Sequence, residues 1–179
     1  SGAFGAGFLN GWSQAGDRPR FKIVTGVSTG ALMAPFALLG PAYDGALRDF
    51  YTTTSSRDIF IVGSLLTLAG RLLGGEALLD TGPLSALITK HVDSALLREV
   101  GKAHERGQRL YIGTVDLDSL DFIVWNMGLI AVSGRPESLD LFRQVMLASA
   151  SIPIAFPPVL FDVETDGRRY DEMHVDGGV

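Results

Sequence analysis

The chain has 179 residues, 46% of them hydrophobic and 20% charged, with a formal net charge of −5 and no cysteine. That length suits one domain, residues 1–179, with a sizeable buried core. The acidic balance argues against nucleic-acid binding, and the lack of cysteine excludes disulfides, thiol catalysis and cysteine-held metal.

Residues 1–12 set small side chains among Phe4, Phe8, Leu9 and Trp12, which fall at spacings of three and four. This predicts a helix whose bare opening turns suit close approach to an anion or to a neighbouring element. After the polar turn at 16–20, the apolar run 21–24 predicts a short buried strand and 31–39 a helix. Between them stands Thr25-Gly26-Val27-Ser28-Thr29-Gly30. A serine between glycines at a strand-to-helix junction is the G-x-S-x-G pattern of a nucleophile elbow. Such a turn strains the serine backbone, lifts the hydroxyl above the sheet and asks for nearly bare positions at 26 and 30. The helix N-terminus then points its partial positive charge at the place where an oxyanion would form.

Gly40-Pro41 ends this helix, 44–51 predicts a short helix, and 55–58 a loop. Residues 59–73 are the most apolar stretch. A transmembrane helix needs ~20 such residues, and Arg71 interrupts this one; a buried core helix and a lid over an acyl channel both fit. Asp80-Thr81-Gly82-Pro83 starts a helix with Leu84, Leu87, Ile88 and Val92 on one face. Asp93-Ser94 starts the next, with Leu97, Val100 and Ala103 inward and Gly107 at its end. His91 and His104 on these helices read as surface or packing histidines. Residues 109–115 and 121–126 read as paired strands across a turn at 116–120. Asp116, Asp118 and Asp121 lack the glycine and distal glutamate of a calcium loop and read as a polar hairpin turn. Residues 139–150 form a helix burying Leu141, Phe142, Val145 and Met146. Prolines 153, 157 and 158 impose a rigid, extended connection. Asp166-Gly167 is a turn, and 170–175 leads into Asp176-Gly177-Gly178.

Ser28 requires a general base within hydrogen-bond reach. On an extended segment His174 and Asp176 point to the same face, so both are candidates. An aspartate followed by two glycines sits at an unobstructed strand end and fits direct contact with Ser28 better. Its unperturbed pKa near 3.9 makes it a weak base that calls for partial burial.

Gly26-Val27-Ser28-Thr29-Gly30 on an elbow, together with a late Asp176-Gly177-Gly178, resembles the patatin-like phospholipases. The resemblance implies an α/β fold: a three-layer α/β/α sandwich with a mostly parallel central sheet and a strand–elbow–helix unit. It implies a lipid acyl hydrolase of phospholipase A or esterase type, with Ser28 as nucleophile, Asp176 as general base, an acyl-enzyme intermediate, and neither metal nor cofactor. Gly2-Ala3-Phe4-Gly5-Ala6-Gly7 resembles the end of that family's oxyanion loop, with Gly2 at its closing glycine. Ser149-Ala150-Ser151-Ile152-Pro153 through Phe156-Pro157-Pro158-Val159 resembles the segment ahead of the aspartate motif. The family's run of consecutive glycines and the strand before it do not stand in these residues. The oxyanion hole is therefore expected outside the residues given, apart from Gly2, and the chain reads as a piece of a larger protein.

The expected partner is a lipid or acyl-ester substrate at a membrane or micelle surface, with no nucleic acid. The compartment stays open between the bacterial envelope or secretion and a cytoplasmic, membrane-peripheral location. Two rivals also stay open: an α/β-hydrolase esterase using a histidine beyond Val179, and a non-catalytic lipid- or partner-binding fragment.

Overall fold

The computed structural model describes residues 2–52, 80–153, 155–165 and 167–179. The loop 55–58 and the apolar stretch 59–73, with its core-or-lid question, lie outside the described residues. In chain order the described elements are α1 (Gly2–Ala15), β1 (Ile23–Gly26), α2 (Thr29–Leu39), a 3₁₀ turn (Pro41–Tyr43), α3 (Asp44–Thr52), α4 (Gly82–His91) and α5 (Ser94–Glu105). There follow β2 (Arg109–Asp116), β3 (Phe122–Asn126), α6 (Met127–Val132), α7 (Ser138–Ser149), β4 (Val159–Thr165) and β5 (Arg168–Asp176).

Local chemistry sets the start of α5. Asp93 caps α5 by accepting the Leu96 N–H at 2.8 Å, satisfying a donor that has no partner inside the helix. The inward face of α5 is Leu96, Val100 and Ala103; Leu97, expected there, is half-buried. Leu141 on α7 is likewise half-buried, while Phe142, Val145 and Met146 are fully enclosed. Helix α2 buries Ala31, Leu32 and Ala34 to Leu38 and is apolar nearly all round, as a central core helix must be. Helix α1 runs the other way from its apolar spacing. It buries Gly2 and Ala6 and leaves Phe4 and Phe8 75% and 57% exposed. Its small residues make the close contact with α2 and α3, because only bare positions admit the Tyr51 ring and the Met33 side chain against Gly2 and Gly5.

The α/β class and the strand–elbow–helix unit are as expected. The pairing is not mostly parallel: β1 and β2 are parallel, whereas β2–β3, β2–β5 and β4–β5 are antiparallel. Short connections cause two of the three antiparallel pairings. A five-residue turn joins β2 to β3 and two residues join β4 to β5, and only antiparallel neighbours can be linked so briefly.

The register of β2 organises the molecule. Strand β3 covers residues 111–115 of β2 along one edge. Strands β1 and β5 also pair with parts of that span, so both must use the other edge. There β1 pairs with 109–112 and β5 with 114–116. One edge of β2 is thus shared, and the division falls at Gly113. The helices pack on the face carrying Leu110, Ile112, Thr114, Phe161, His174 and Asp176, all buried. The reverse face leaves Ile23, Phe122, Val124, Leu160 and Met173 exposed.

Candidate active site

Two chain segments converge on Gly113 from opposite directions. Strand β1 ends there with Gly26 opposite Ile112, and antiparallel β5 ends there with Asp176 opposite Thr114. The turn after Gly26 carries Ser28 to the start of α2. Ser28 has φ 58° and ψ −131°, a conformation sparsely populated by residues with a side chain. The residue is half-buried. β1 is less buried than its apolar run predicts, with Ile23 63% exposed and Gly26 enclosed.

The two glycines of the elbow are not equivalent. A Cβ on Gly26 would lie 2.6 Å from the Gly30 carbonyl oxygen and 2.8 Å from Ala31 Cα, so the returning helix requires a bare residue there. A Cβ on Gly30 would meet nothing within 4 Å. The expectation of a forced bare position therefore holds for Gly26 and not, on packing grounds, for Gly30.

The Ser28 N–H donates to Ser149 Oγ at 3.1 Å, and Ser149 Oγ donates to the Gly113 carbonyl at 2.7 Å. Ser149 is completely buried at the end of α7. Two residues on, the Ser151 carbonyl accepts the Asp176 N–H at 2.9 Å. Asp176 is 3% exposed, and its Oδ1 accepts the Gly178 N–H at 2.8 Å. Gly177 lies against the Gly113 carbonyl, where a Cβ would come within 2.7 Å of the oxygen, and Gly178 approaches Val27. The Asp-Gly-Gly turn therefore packs directly beneath the elbow. Ser28 Oγ and the Asp176 carboxylate make no hydrogen bond with each other, a common condition before substrate draws a site together.

Gly2 opens α1 beside the Tyr51 ring, where a Cβ would lie 2.6 Å from Cε1. The Tyr51 hydroxyl donates to the Thr29 carbonyl at 2.8 Å, so Gly2 meets the elbow helix through Tyr51. Burial raises the Tyr51 pKa far above its ordinary value and keeps the hydroxyl protonated as a donor. At the N-terminus of α2 the Gly30 and Ala31 N–H groups donate to Val27 and Ser28 carbonyls. The Thr29 N–H, first in the helix, has no acceptor among the described residues.

His174 shares the face of Asp176 yet is committed elsewhere. It is fully buried, with Nδ1 2.9 Å from Thr114 Oγ1 and Nε2 3.2 Å from Glu172 Oε2. Its ring centroid lies 4.7 Å from that of Phe161 and 5.5 Å from that of Trp125. Because Trp125 Nε1–H also donates to Thr114 Oγ1 at 2.8 Å, the network of Trp125, Thr114, His174 and Glu172 engages both ring nitrogens. Neither nitrogen is left for Ser28.

The family profile described as Patatin-like phospholipase matches residues 1–179. The chain belongs to that family. No curated protein matches it significantly. Membership in the patatin-like phospholipases carries with it the class of lipid acyl hydrolases and an α/β/α fold. Within this family member, His91 and His104 pack as the sequence suggests: desolvation lowers the pKa of each, and His104 crowds Gly128 of α6. The Asp116 carboxylate accepts from Ser119 Oγ at 2.6 Å and from the Asp118 and Ser119 N–H groups, which makes it the anchor of a polar hairpin turn. Among the described residues no group of three acidic or histidine side chains is placed to hold a metal. Sequence reasoning marked the segment around Ser149 only by resemblance. The tether it supplies spans 121 positions, and no local pattern signals it.

Proposed function

We propose that this patatin-like phospholipase hydrolyses fatty-acyl esters of lipids with Ser28 as nucleophile and Asp176 as general base. The observation that carries the reading is the convergence of the strained elbow serine and the buried Asp176 on Gly113.

In the proposed first step Asp176 takes the Ser28 proton as Oγ attacks the ester carbonyl carbon. The tetrahedral oxyanion is stabilised by the N-terminus of α2, where the Thr29 N–H has no acceptor among the described residues, with Gly2 as the further candidate donor. Collapse expels the alcohol or lysolipid, which takes up the proton from Asp176. Asp176 then draws a proton from water as its oxygen attacks the acyl-enzyme, and returns that proton to Ser28 Oγ as the C–O bond breaks and the fatty acid leaves. Placement at a membrane or micelle surface follows from an insoluble substrate and belongs to the same proposal.

Turnover of p-nitrophenyl esters of increasing chain length tests it. Ser28→Ala and Asp176→Asn should each lower kcat by about 10⁴-fold or more, with both proteins folded by circular dichroism. Turnover in Asp176→Asn within tenfold of the parent would remove the aspartate from the reaction.

A further inference from the structure

We propose that Ser149 is the positioning residue of the nucleophile, and that the end of α7 sets where Ser28 and Asp176 stand relative to each other. The inference rests on the reading of Ser28 as nucleophile given above.

Between the last residue of β1 and the last residue of β5, the shared edge of β2 has no strand partner at Gly113. The Gly113 carbonyl points into that gap. Its oxygen would be a buried acceptor without a partner, and the strained Ser28 N–H would be a donor without one. A single hydroxyl answers both, accepting from Ser28 at 3.1 Å and donating to Gly113 at 2.7 Å. The polarity is fixed in one direction, because the amide can only donate and the carbonyl can only accept. Ser149 is the last residue of α7, and its hydroxyl reaches across to the sheet instead of bonding back to its own helix.

The same helix end holds the second group. The Ser151 carbonyl takes the Asp176 N–H at 2.9 Å, and the Ser151 hydroxyl donates back to Leu147 at 2.9 Å, fastening residue 151 to the last turn of α7. Two residues of one rigid turn therefore grip the amide of Ser28 and the amide of Asp176. In-line attack depends on the rotation of the Ser28 peptide, and a shift near 1 Å is enough to cost about a hundredfold in rate. The hydroxyl at 149 fixes that rotation without touching substrate.

The test compares Ser149→Ala and Ser149→Thr with the parent protein and with Ile88→Val, a core change on α4. Three quantities are read: kcat and KM on a short ester, Tm, and hydrogen exchange of the Ser28 amide by NMR. Ser149→Ala should lower kcat about ten- to a hundredfold with KM within twofold, and raise Ser28 amide exchange at least tenfold over that of Leu32. Ser149→Thr keeps the hydroxyl and should recover both. Ile88→Val should lower Tm while leaving kcat unchanged. Parental kcat and amide exchange in Ser149→Ala would overturn the proposal, as would a kcat loss matched by Ile88→Val at equal loss of Tm. Should the parent itself turn over no ester, the hydrolase reading falls, and Ser28 amide exchange still decides whether Ser149 holds the elbow.

Discussion

Ser28 stands at φ 58° with a side chain, and such a conformation costs about 1–3 kcal/mol that the surroundings must supply. Its N–H is tied to Ser149 and its carbonyl accepts from Ala31, so the strain is held by two hydrogen bonds and by the helix that starts there. Glycine adopts these angles freely. Ser28→Gly should therefore abolish turnover while stabilising the fold by about 1 kcal/mol, or roughly 2–4 °C in Tm by calorimetry. A lower Tm than the parent would contradict the strain argument. Ser28 and Asp176 were legible in the sequence because each sits in a local pattern whose neighbours are dictated by the turn it makes. The contributions of Ser149 and Thr114 were not, since each depends on a partner far away in the chain that only the folded sheet brings near. His174 illustrates the same limit. Alternation along β5 places it correctly on the face of Asp176, but only cross-strand packing reveals that Thr114, Glu172, Trp125 and Phe161 already claim it.

At the scale of elements, the helices with caps or dense apolar spacing were readable and the brief ones were not. Helix α6 has six residues and starts because Asn126 accepts the Leu129 N–H at 3.1 Å; six residues carry too little periodicity to declare themselves. Strand β4 follows three prolines, which suggested an extended connection but not the ladder it forms with β5. The turn between β2 and β3 was read as polar, and the reason it holds is electrostatic. The Ser119 hydroxyl, followed by the Asp118 and Ser119 backbone donors, holds the Asp116 pKa below the usual carboxylate range. A carboxylate whose folded pKa lies below its unfolded value of about 3.9 adds stability above that value, and the gain disappears as pH falls through the folded pKa. Ser119→Ala removes the largest cause of the shift. Its Tm deficit should be full between about pH 5 and 7 and should shrink towards pH 2. A deficit that does not vary with pH would assign the loss to packing instead.

For the whole molecule, the decisive feature is the shared edge of β2. A parallel strand leading into the elbow and an antiparallel strand from near the other end of the chain meet at one glycine. The sequence could place the two motifs near its ends. It pointed to their meeting, through the bare strand end at Asp176, but not to the edge on which they meet, because strand direction and edge are set by connection length and by which face each strand buries. The mixed sheet follows from those connections, and the packing of Gly177 on Gly113 follows from the meeting. If this meeting activates Ser28, fluorophosphonate labelling with peptide mapping will find it. One adduct should form, on Ser28 of the parent protein, absent from Ser28→Ala and slowed by about 10³-fold or more in Asp176→Asn. Labelling of Asp176→Asn at the parental rate, or no adduct on Ser28 in the folded parent, would contradict it.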